Sequence, residues 1–326
     1  WNEVGNIKVI YADGSKLPCR DLVDKYPNIK YFHMPNKSMQ ERGYFLAESA
    51  QTKYSCQICD DEFFIPSSLE ECLNFLENMP DYSSCIGNVI GFKKLIGQII
   101  FLPAYRSFFK RELKNEDPGK RLLKHFSNYE CTHTFALTRT ELLKKALQIS
   151  FDLEIFALEE IALEFVIVSF GKSKVLDNLY WLRNYEIPNV KNSGDKSLNR
   201  KKLLYEWWIN SSKEEREKRF ISKIIEAADN RIEVKDVENA IEAFILFSKS
   251  DIKISNTLKK LIKDKFPYIH KIFVENYIFF KKFKQERLNN IQNNLFPELE
   301  LNYLLKQGIK IDSFELSKIK EYIFRQ

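Results

Sequence analysis

Glycine and proline are scarce in this 326-residue chain, at ten each, which excludes collagen-like repeats and long flexible tracts. No run reaches the ~18 apolar residues that a membrane span needs. The richest, Ile161 to Phe170, is broken by Glu164 and short enough to be a core helix. The first residues carry no basic-then-apolar leader pattern. Only six cysteines occur, at 19, 56, 59, 72, 85 and 131, and their irregular spacing in so large a chain excludes a disulfide scaffold. Cys56 and Cys59 form a CxxC, but no second CxxC completes a four-sulfur site, and Cys131 with His133 is only a loose C-x-H. These cysteines are read as small core hydrophobes. Charge of one sign is also lacking: 51 basic and 45 acidic residues leave +6, too mild an excess to nominate nucleic acid as a partner.

What is present is a folding composition. Hydrophobic side chains make up 44%, ample for a buried core, so disorder is excluded and the length predicts one large domain or two ordinary ones. The first half alternates β-rich and helical runs. Strands are expected at Ile7–Ala12, Asn28–His33, Lys53–Cys59, Ser84–Phe92, Tyr129–Leu137, Lys174–Leu176 and Tyr180–Leu182. Helices are expected at Leu17–Tyr26, Ser38–Ala50, Pro66–Met79 and Leu153–Phe170. Ser67/Glu70 and Thr138/Glu141 stand in capping-box spacing, and Gly171 suits a helix end. The alternation predicts an α/β fold with a mostly parallel sheet flanked by helices, whose ligands sit beyond the carboxyl ends of strands. Residues 191–199 (KNSGDKSLN) read as a linker, and everything from 200 to 326 as helical, including Lys213–Asn230, Val234–Ser248, Ser255–Lys265, Tyr268–Asn293 and a last helix from Ser313. The expected division is therefore an α/β domain over 1–190 and an all-α domain over 200–326.

The chemistry begins at Asp60-Asp61-Glu62, just past the third expected strand. Three adjacent carboxylates repel one another unless a cation or solvent separates them, and a hard divalent ion is a natural partner. A solvated loop is the alternative for such a triplet in isolation. Asp13, in Asp13-Gly14-Ser15, likewise ends a strand.

In order, Val9-Ile10-Tyr11-Ala12-Asp13-Gly14-Ser15, then Glu41-Arg42-Gly43, then Tyr54–Cys59 followed by Asp60-Asp61-Glu62 resemble the nucleotide-sugar-binding half of GT-A-fold glycosyltransferases of the family-2 type. Asp13 and Asp60 lie 47 residues apart, as that layout requires. Downstream, Leu158-Glu159-Glu160 opens a helix that runs to Gly171, similar to the family's acidic motif. The overall likeness, with Pro80-Asp81-Tyr82 and Leu179–Arg183, is to a bacterial subgroup that builds surface glycans, and it covers about residues 4–185. The resemblance implies a cytoplasmic, inverting glycosyltransferase dependent on Mn²⁺ or Mg²⁺, with a nucleotide-sugar donor and a glycan or lipid-linked acceptor.

The resemblance also distributes roles. Asp13 is expected to hold the base or ribose, Asp60 the ribose, Arg42 and Arg183 the diphosphate, and Asp61 or Glu62 the metal. Glu160 takes the place of the general base, with Glu159 and Glu154 as alternatives and helix-surface carboxylates as the bland reading. His133 and Glu130 are placed at the acceptor site, a structural histidine being the other reading; His33, His125 and His270 are taken as structural or exposed. Phe273–Arg287 reads either as a face for an anionic membrane, a peripheral contact, or as a helix with one buried side, the commoner case. Lys110-Arg111 and Lys120–Lys124 hint at acceptor or membrane contact. The chain opens at Trp1, so the resemblance further implies a preceding strand and helix, with Trp1-Asn2-Glu3 as that helix's tail. Competing readings are a nucleotidyltransferase, against which the absence of a G-x-G-x-R loop counts, a nuclease, disfavoured by the missing basic stripe, and a non-catalytic interaction module on a degenerate GT-A domain.

Overall fold

A computed structural model of the chain describes residues 7–95, 97–153, 158–185, 206–248 and 297–325. Strand β1 (Val9–Asp13), helix α1 (Arg20–Val23) and strand β2 (Ile29–His33) open the chain, with β1 and β2 paired in parallel so that Asp13 stands opposite His33. Helix α2 (Met39–Ser49) starts at Ser38, whose Oγ accepts from the Glu41 amide at 3.1 Å while Glu41 Oε2 accepts from the Ser38 amide at 2.8 Å. That reciprocal pair is a capping box the sequence holds at Ser38, not at Ser67 or Thr138.

Short strands β3 (Tyr54–Ser55) and β4 (Phe63–Phe64) flank the acidic triplet, and α3 (Pro66–Asn78) follows with proline at its first turn. Ser67 does not cap α3; its amide and hydroxyl donate instead to Glu315. Strand β5 (Tyr82–Leu95) and β6 (Gln98–Pro103) make a hairpin, and β7 (Glu112–Leu113) and α4 (Pro118–Phe126) lead toward β8 (Leu137–Arg139). Then come α5 (Thr140–Asp152), α6 (Glu159–Phe170) and β9 (Lys172–Asn184), a single strand where two were expected.

The α/β class with flanking helices is as expected, and the sheet around it is mixed. Its spine is the parallel pair β5–β9, in one sheet with the antiparallel partners β4, β6, β7 and β8, while β1–β2 is a separate parallel pair. Among the described residues, every strand pairing in this sheet other than β5–β9 is antiparallel, the β5–β6 pair being a hairpin return. The expected strand at 129–137 shrinks to its end. Residues 129–136 form turns instead, with Phe135 N bonded to Thr132 O at 3.1 Å and Ala136 N to His133 O at 3.3 Å.

Helix α6 is apolar nearly all round and correspondingly buried from Ile161 to Ser169. Gly171 follows the end of the helix as expected and is extended at φ −168°. It is glycine because a Cβ there would lie 2.9 Å from Asp81 O and Ser83 N. The carbonyls at the end of α6 are capped by Arg121, buried at 4% exposure, whose guanidinium donates to Val168 O and Ser169 O at 3.0 Å. Arg111 does the same for α4, donating to His125 O at 2.8 Å and Lys124 O at 3.1 Å. Two arginines expected at an acceptor or membrane surface thus close helix ends.

The later helices are α7 (Lys213–Arg216), a π-helical turn Glu217–Ile221, α8 (Ser222–Ala227), α9 (Val234–Ser248), α10 (Leu299–Lys306) and α11 (Ser313–Arg325). Their core is continuous with that of the first half. Phe220, Ile224, Val237, Ile241 and Phe244 pack with Phe126, Leu143 and Phe165, while Leu301, Leu304, Leu316 and Ile323 pack with Ile90, Phe92 and Phe101 on another face of the sheet. Among the described residues no helix is long and apolar enough to cross a membrane. The linker at 191–199, the expected helices at 255–265 and 268–293, Phe273–Arg287, Glu154, His270 and Trp1-Asn2-Glu3 lie outside the described residues.

Helix α10 is tied to the first half by Glu300, 2% exposed, whose carboxylate takes the Arg106 guanidinium, Nε to Oε1 at 3.1 Å, with Tyr303 beneath it. Removing one partner of a buried pair strands the other charge. Glu300→Ala should therefore lower the unfolding free energy by about 3–5 kcal/mol. Loss of the solvent-screened Lys37–Glu41 pair should cost far less. Urea unfolding of E300A and K37A compares them, and equal midpoints would contradict this account of how α10 is held.

Candidate functional site

Three structural pieces carry the residues that the sequence singles out. The first is the turn after β1. Asp13 is 3% exposed and its two oxygens hold that turn together. Oδ1 accepts from Ser15 N at 2.8 Å and Ser15 Oγ at 2.5 Å; Oδ2 accepts from Cys19 N at 3.1 Å and Tyr31 Oη at 2.5 Å. Burial pushes the carboxyl up, but the bonds from Ser15 and Tyr31 outweigh it and hold Asp13 well below the ordinary carboxylate range. Asp13 thereby shapes the loop that it opens. Arg42 is brought onto this turn: a Cβ on Gly14 would be 2.2 Å from its Nη1, so a side chain there would push aside the guanidinium, which also donates to Lys37 O at 2.6 Å. Burial and then the charge of Asp60 push the Tyr11 phenol up, placing the triplet within electrostatic reach of β1.

The second piece is the triplet itself, in the turn between β3 and β4. Asp60 and Asp61 are exposed and Glu62 is buried. Because β4 runs antiparallel to β9, with Phe63 opposite Leu182 and Phe64 opposite Trp181, the end of β9 lies beside the turn. Trp181 Nε1 donates to Glu62 Oε2 at 2.8 Å, Arg183 Nε stands 3.7 Å from Glu62 Oε1, and Asn184 Nδ2 donates to Asp61 Oδ2 at 3.4 Å. Burial raises the Glu62 carboxyl to about 7, against the opposing pull of Arg183. The Arg183 guanidinium lies over the Tyr105 ring at 5.2 Å and the Trp181 ring at 5.6 Å, and Trp181 stacks on Phe135 at 4.2 Å. Tyr105 has a left-handed backbone, φ 49°.

Donor atoms of Cys59, Asp61 and Glu62 lie within 4.8 Å of one another, a spacing that fits a divalent cation. The two carboxylates offer the oxygens that Mn²⁺ or Mg²⁺ prefer. Cys59 is an addition: expected with the other cysteines as a small core hydrophobe, it is instead exposed beside the carboxylates. Cys56 is the buried-side member of the pair, as expected for a core hydrophobe.

The third piece is the head of α6. Gln40 on α2, two residues before Arg42, donates to Glu159, and Tyr129 Oη donates to Glu160 Oε1 at 2.7 Å. Glu159 therefore faces the helix that carries Arg42. Glu130 accepts from Ser107 Oγ at 2.5 Å, next to Tyr105 and Arg106.

His133 requires correction as an acceptor residue. It is 4% exposed, with Nδ1 2.7 Å from Glu164 Oε2 and Nε2 3.0 Å from Ser173 Oγ. His125 Nε2 lies 2.8 Å from the same carboxylate oxygen, and Thr134 N donates to the other at 3.2 Å. These groups, though also of metal-ligating types, sit at hydrogen-bond distances and are buried beside the cationic Arg111. They read as a buried polar cluster of the core, in which His125 Nδ1 has no hydrogen-bond partner among the described residues.

No known protein-family profile and no curated protein matches this sequence. Among solved structures, residues 1–349 of TarS from S. aureus align at a TM-score of 0.42 and 16% identity, over 75% of this chain and 81% of that one. The same fragment in complex with UDP-GlcNAc aligns at 0.42 and 14% identity, over 75% and 82%. Its complex with UDP aligns at 0.39 and 15%, over 75% and 81%.

The buried network carries a pH signature. Burial drives the His125 imidazole from its ordinary 6.5 down to about 3. For Glu164, burial pushes up, yet the two imidazoles hold it well below its ordinary value. Both groups then bind fewer protons folded than unfolded, so stability is full above about pH 6.5 and falls as acid protonates the unfolded chain. The thermal midpoint should plateau above pH 7 and drop between pH 6.5 and 4.5, and His125→Phe should flatten that drop. A midpoint independent of pH over that interval in the native chain would count against the linkage.

Proposed function

We propose that this chain is a glycosyltransferase that moves a sugar from a nucleotide-sugar donor to a hydroxyl of a glycan or lipid-linked acceptor, with inversion at the anomeric carbon. The observation that carries the reading is the convergence of the Asp61 and Glu62 carboxylates with Arg183 at one turn, within reach of the Asp13-Gly14-Ser15 loop and its Arg42. A nucleoside diphosphate is the ligand that calls for both a cation-holding carboxylate pair and guanidinium groups, since each guanidinium fits two phosphate oxygens. Glu159 and Glu160, at the head of α6, stand against α2 and Tyr129, next to those same elements.

Each residue then has a task. Asp13 keeps the loop in shape, so that backbone and Arg42 meet the donor. Asp60, exposed beside the buried Glu62, is offered to the ribose. Arg183, supported by the Tyr105 and Trp181 rings, faces the diphosphate. Asp61 and Glu62 would hold a divalent cation, which when bound offsets the negative charge of the leaving diphosphate. Glu160 takes the proton from the acceptor hydroxyl. The acceptor oxygen forms a bond to the anomeric carbon while that carbon's bond to the phosphate oxygen breaks, and the nucleoside diphosphate leaves with the electron pair. One displacement from the face opposite the leaving group inverts the centre.

UDP-GlcNAc and UDP, with Mn²⁺ or Mg²⁺, are the first probes in a wider panel of nucleotide sugars. A nucleotide that binds only the folded form should raise the melting temperature. Asp61→Ala should abolish the metal-dependent part of that rise. Glu160→Gln should leave it intact while lowering kcat for transfer by about 10²–10⁴-fold. The absence of both a thermal shift and turnover across the panel would sink the proposal and leave an interaction module.

A further inference from the structure

We propose that Tyr129 is a positioning residue that aims Glu160, and that helix α9 of the later helical segment holds it in place. This rests on the reading of Glu160 as the base. Tyr129 donates its phenolic proton to Glu160 Oε1 at 2.7 Å, and the residue is 5% exposed. The ring is gripped from several sides. It lies parallel to Phe126 at 5.5 Å with 2° between planes, edge-on to Phe244 at 4.9 Å and 90°, and against His125 at 5.4 Å. Phe126 ends α4 and Phe244 sits on α9, so the phenol is fixed by one helix from each half of the chain.

A glutamate in the first turn of a helix has three side-chain torsions, and without an anchor its carboxylate samples many directions. A donor from a rigid ring restricts that freedom. A carboxylate has about four lone-pair sites, and the bond from Tyr129 takes up one of them. Burial also keeps the phenol protonated, pushing it well above its ordinary value, so it remains a donor across the working pH range. The consequence reaches beyond packing: helices that share no residue with the acidic triplet set the direction of the group that receives the proton.

The test uses the full chain and the conservative variant Tyr129→Phe, which keeps the ring and removes only the hydroxyl. With a donor that turns over in the panel above, Y129F should lower kcat by about 10- to 100-fold while donor KM stays within about twofold, the split expected when a reacting group is misaimed. Phe244→Leu should lower kcat less, and should add nothing in the Y129F background, because its effect passes through the hydroxyl. Wild-type kcat in Y129F beside an inactive Glu160→Gln would overturn the positioning role alone. Wild-type kcat in Glu160→Gln would overturn the base reading, and the positioning role with it. A second measurement is independent of turnover. In urea unfolding, Y129F and Glu160→Ala should each lower the midpoint, and the double variant no further than the larger single; additive losses would show that the bond is not made and overturn the proposal.

Discussion

A helix with no polar face is stable only where protein surrounds it, and α6 is such a helix. It is buried from Ile161 to Ser169 and is held between α5 and α4, and its chain returns at once as β9 alongside β5. That one constraint places much else. It sets Glu159 and Glu160 at the partly exposed N-terminal end of the helix, where carboxylates also suit the positive pole of the helix dipole. It runs β9 through the sheet so that Trp181, Arg183 and Asn184 emerge beside the acidic triplet. The close return depends on Gly171, which lets the backbone pass against Asp81 and Ser83.

Burying α6 also buries Glu164, and the contrast between Glu164 and Glu62 shows how surroundings assign roles to like side chains. Glu164 is fully enclosed, but two imidazoles and a backbone amide surround its oxygens, so its charge is compensated. Glu62 receives one indole N–H and a guanidinium at 3.7 Å, and Asp60 and Asp61 sit beside it. Its charge is under-compensated, and burial raises the carboxyl to about 7. A buried carboxylate with unmet demand for positive charge is the kind of group that a cation or a charged ligand relieves. Glu164, whose demand is met, serves the core.

The sequence made the elements with strong local signals legible. The strand ending in Asp13, α2, α3, the buried α6, α9 from Val234 to Ser248 and the helix from Ser313 all form close to their expected places, because periodicity and caps are local properties. The adjacency of Arg42 to Gly14 and of Arg183 to Glu62 follows from that layout. What was hidden depends on tertiary partners. Residues 129–136 have strand-like composition, yet Glu164 draws Thr134 and His133 inward and the backbone turns. Arg111 and Arg121 look like surface cations until the carbonyls they cap are seen. Asp13, expected to meet the ligand itself, spends both oxygens on its own loop. Cys59, read from composition as a core hydrophobe, is exposed beside the carboxylates of Asp61 and Glu62, a placement set by the turn between β3 and β4.

The most consequential partnership that no local pattern announces is the shared core. Residues after 200 carry helical signals and nothing that says where they pack, so the change in texture reads as a boundary. In the fold, α9 lies along α4 and its Phe244 closes on Phe126 and Tyr129. Aromatic contacts of this geometry are worth about 0.5–1.5 kcal/mol each beyond the area they bury. Their greater effect is directional. A ring held on two sides by packing cannot rotate its hydroxyl away, so the position of a distant helix is converted into the orientation of one carboxylate at the head of α6. Helix α10 acts on another face of the sheet through Glu300 and Arg106, the residue next to Tyr105 under Arg183. Among the described residues, the helical segment therefore braces the first half from two sides, through the ring of Tyr129 and one ion pair.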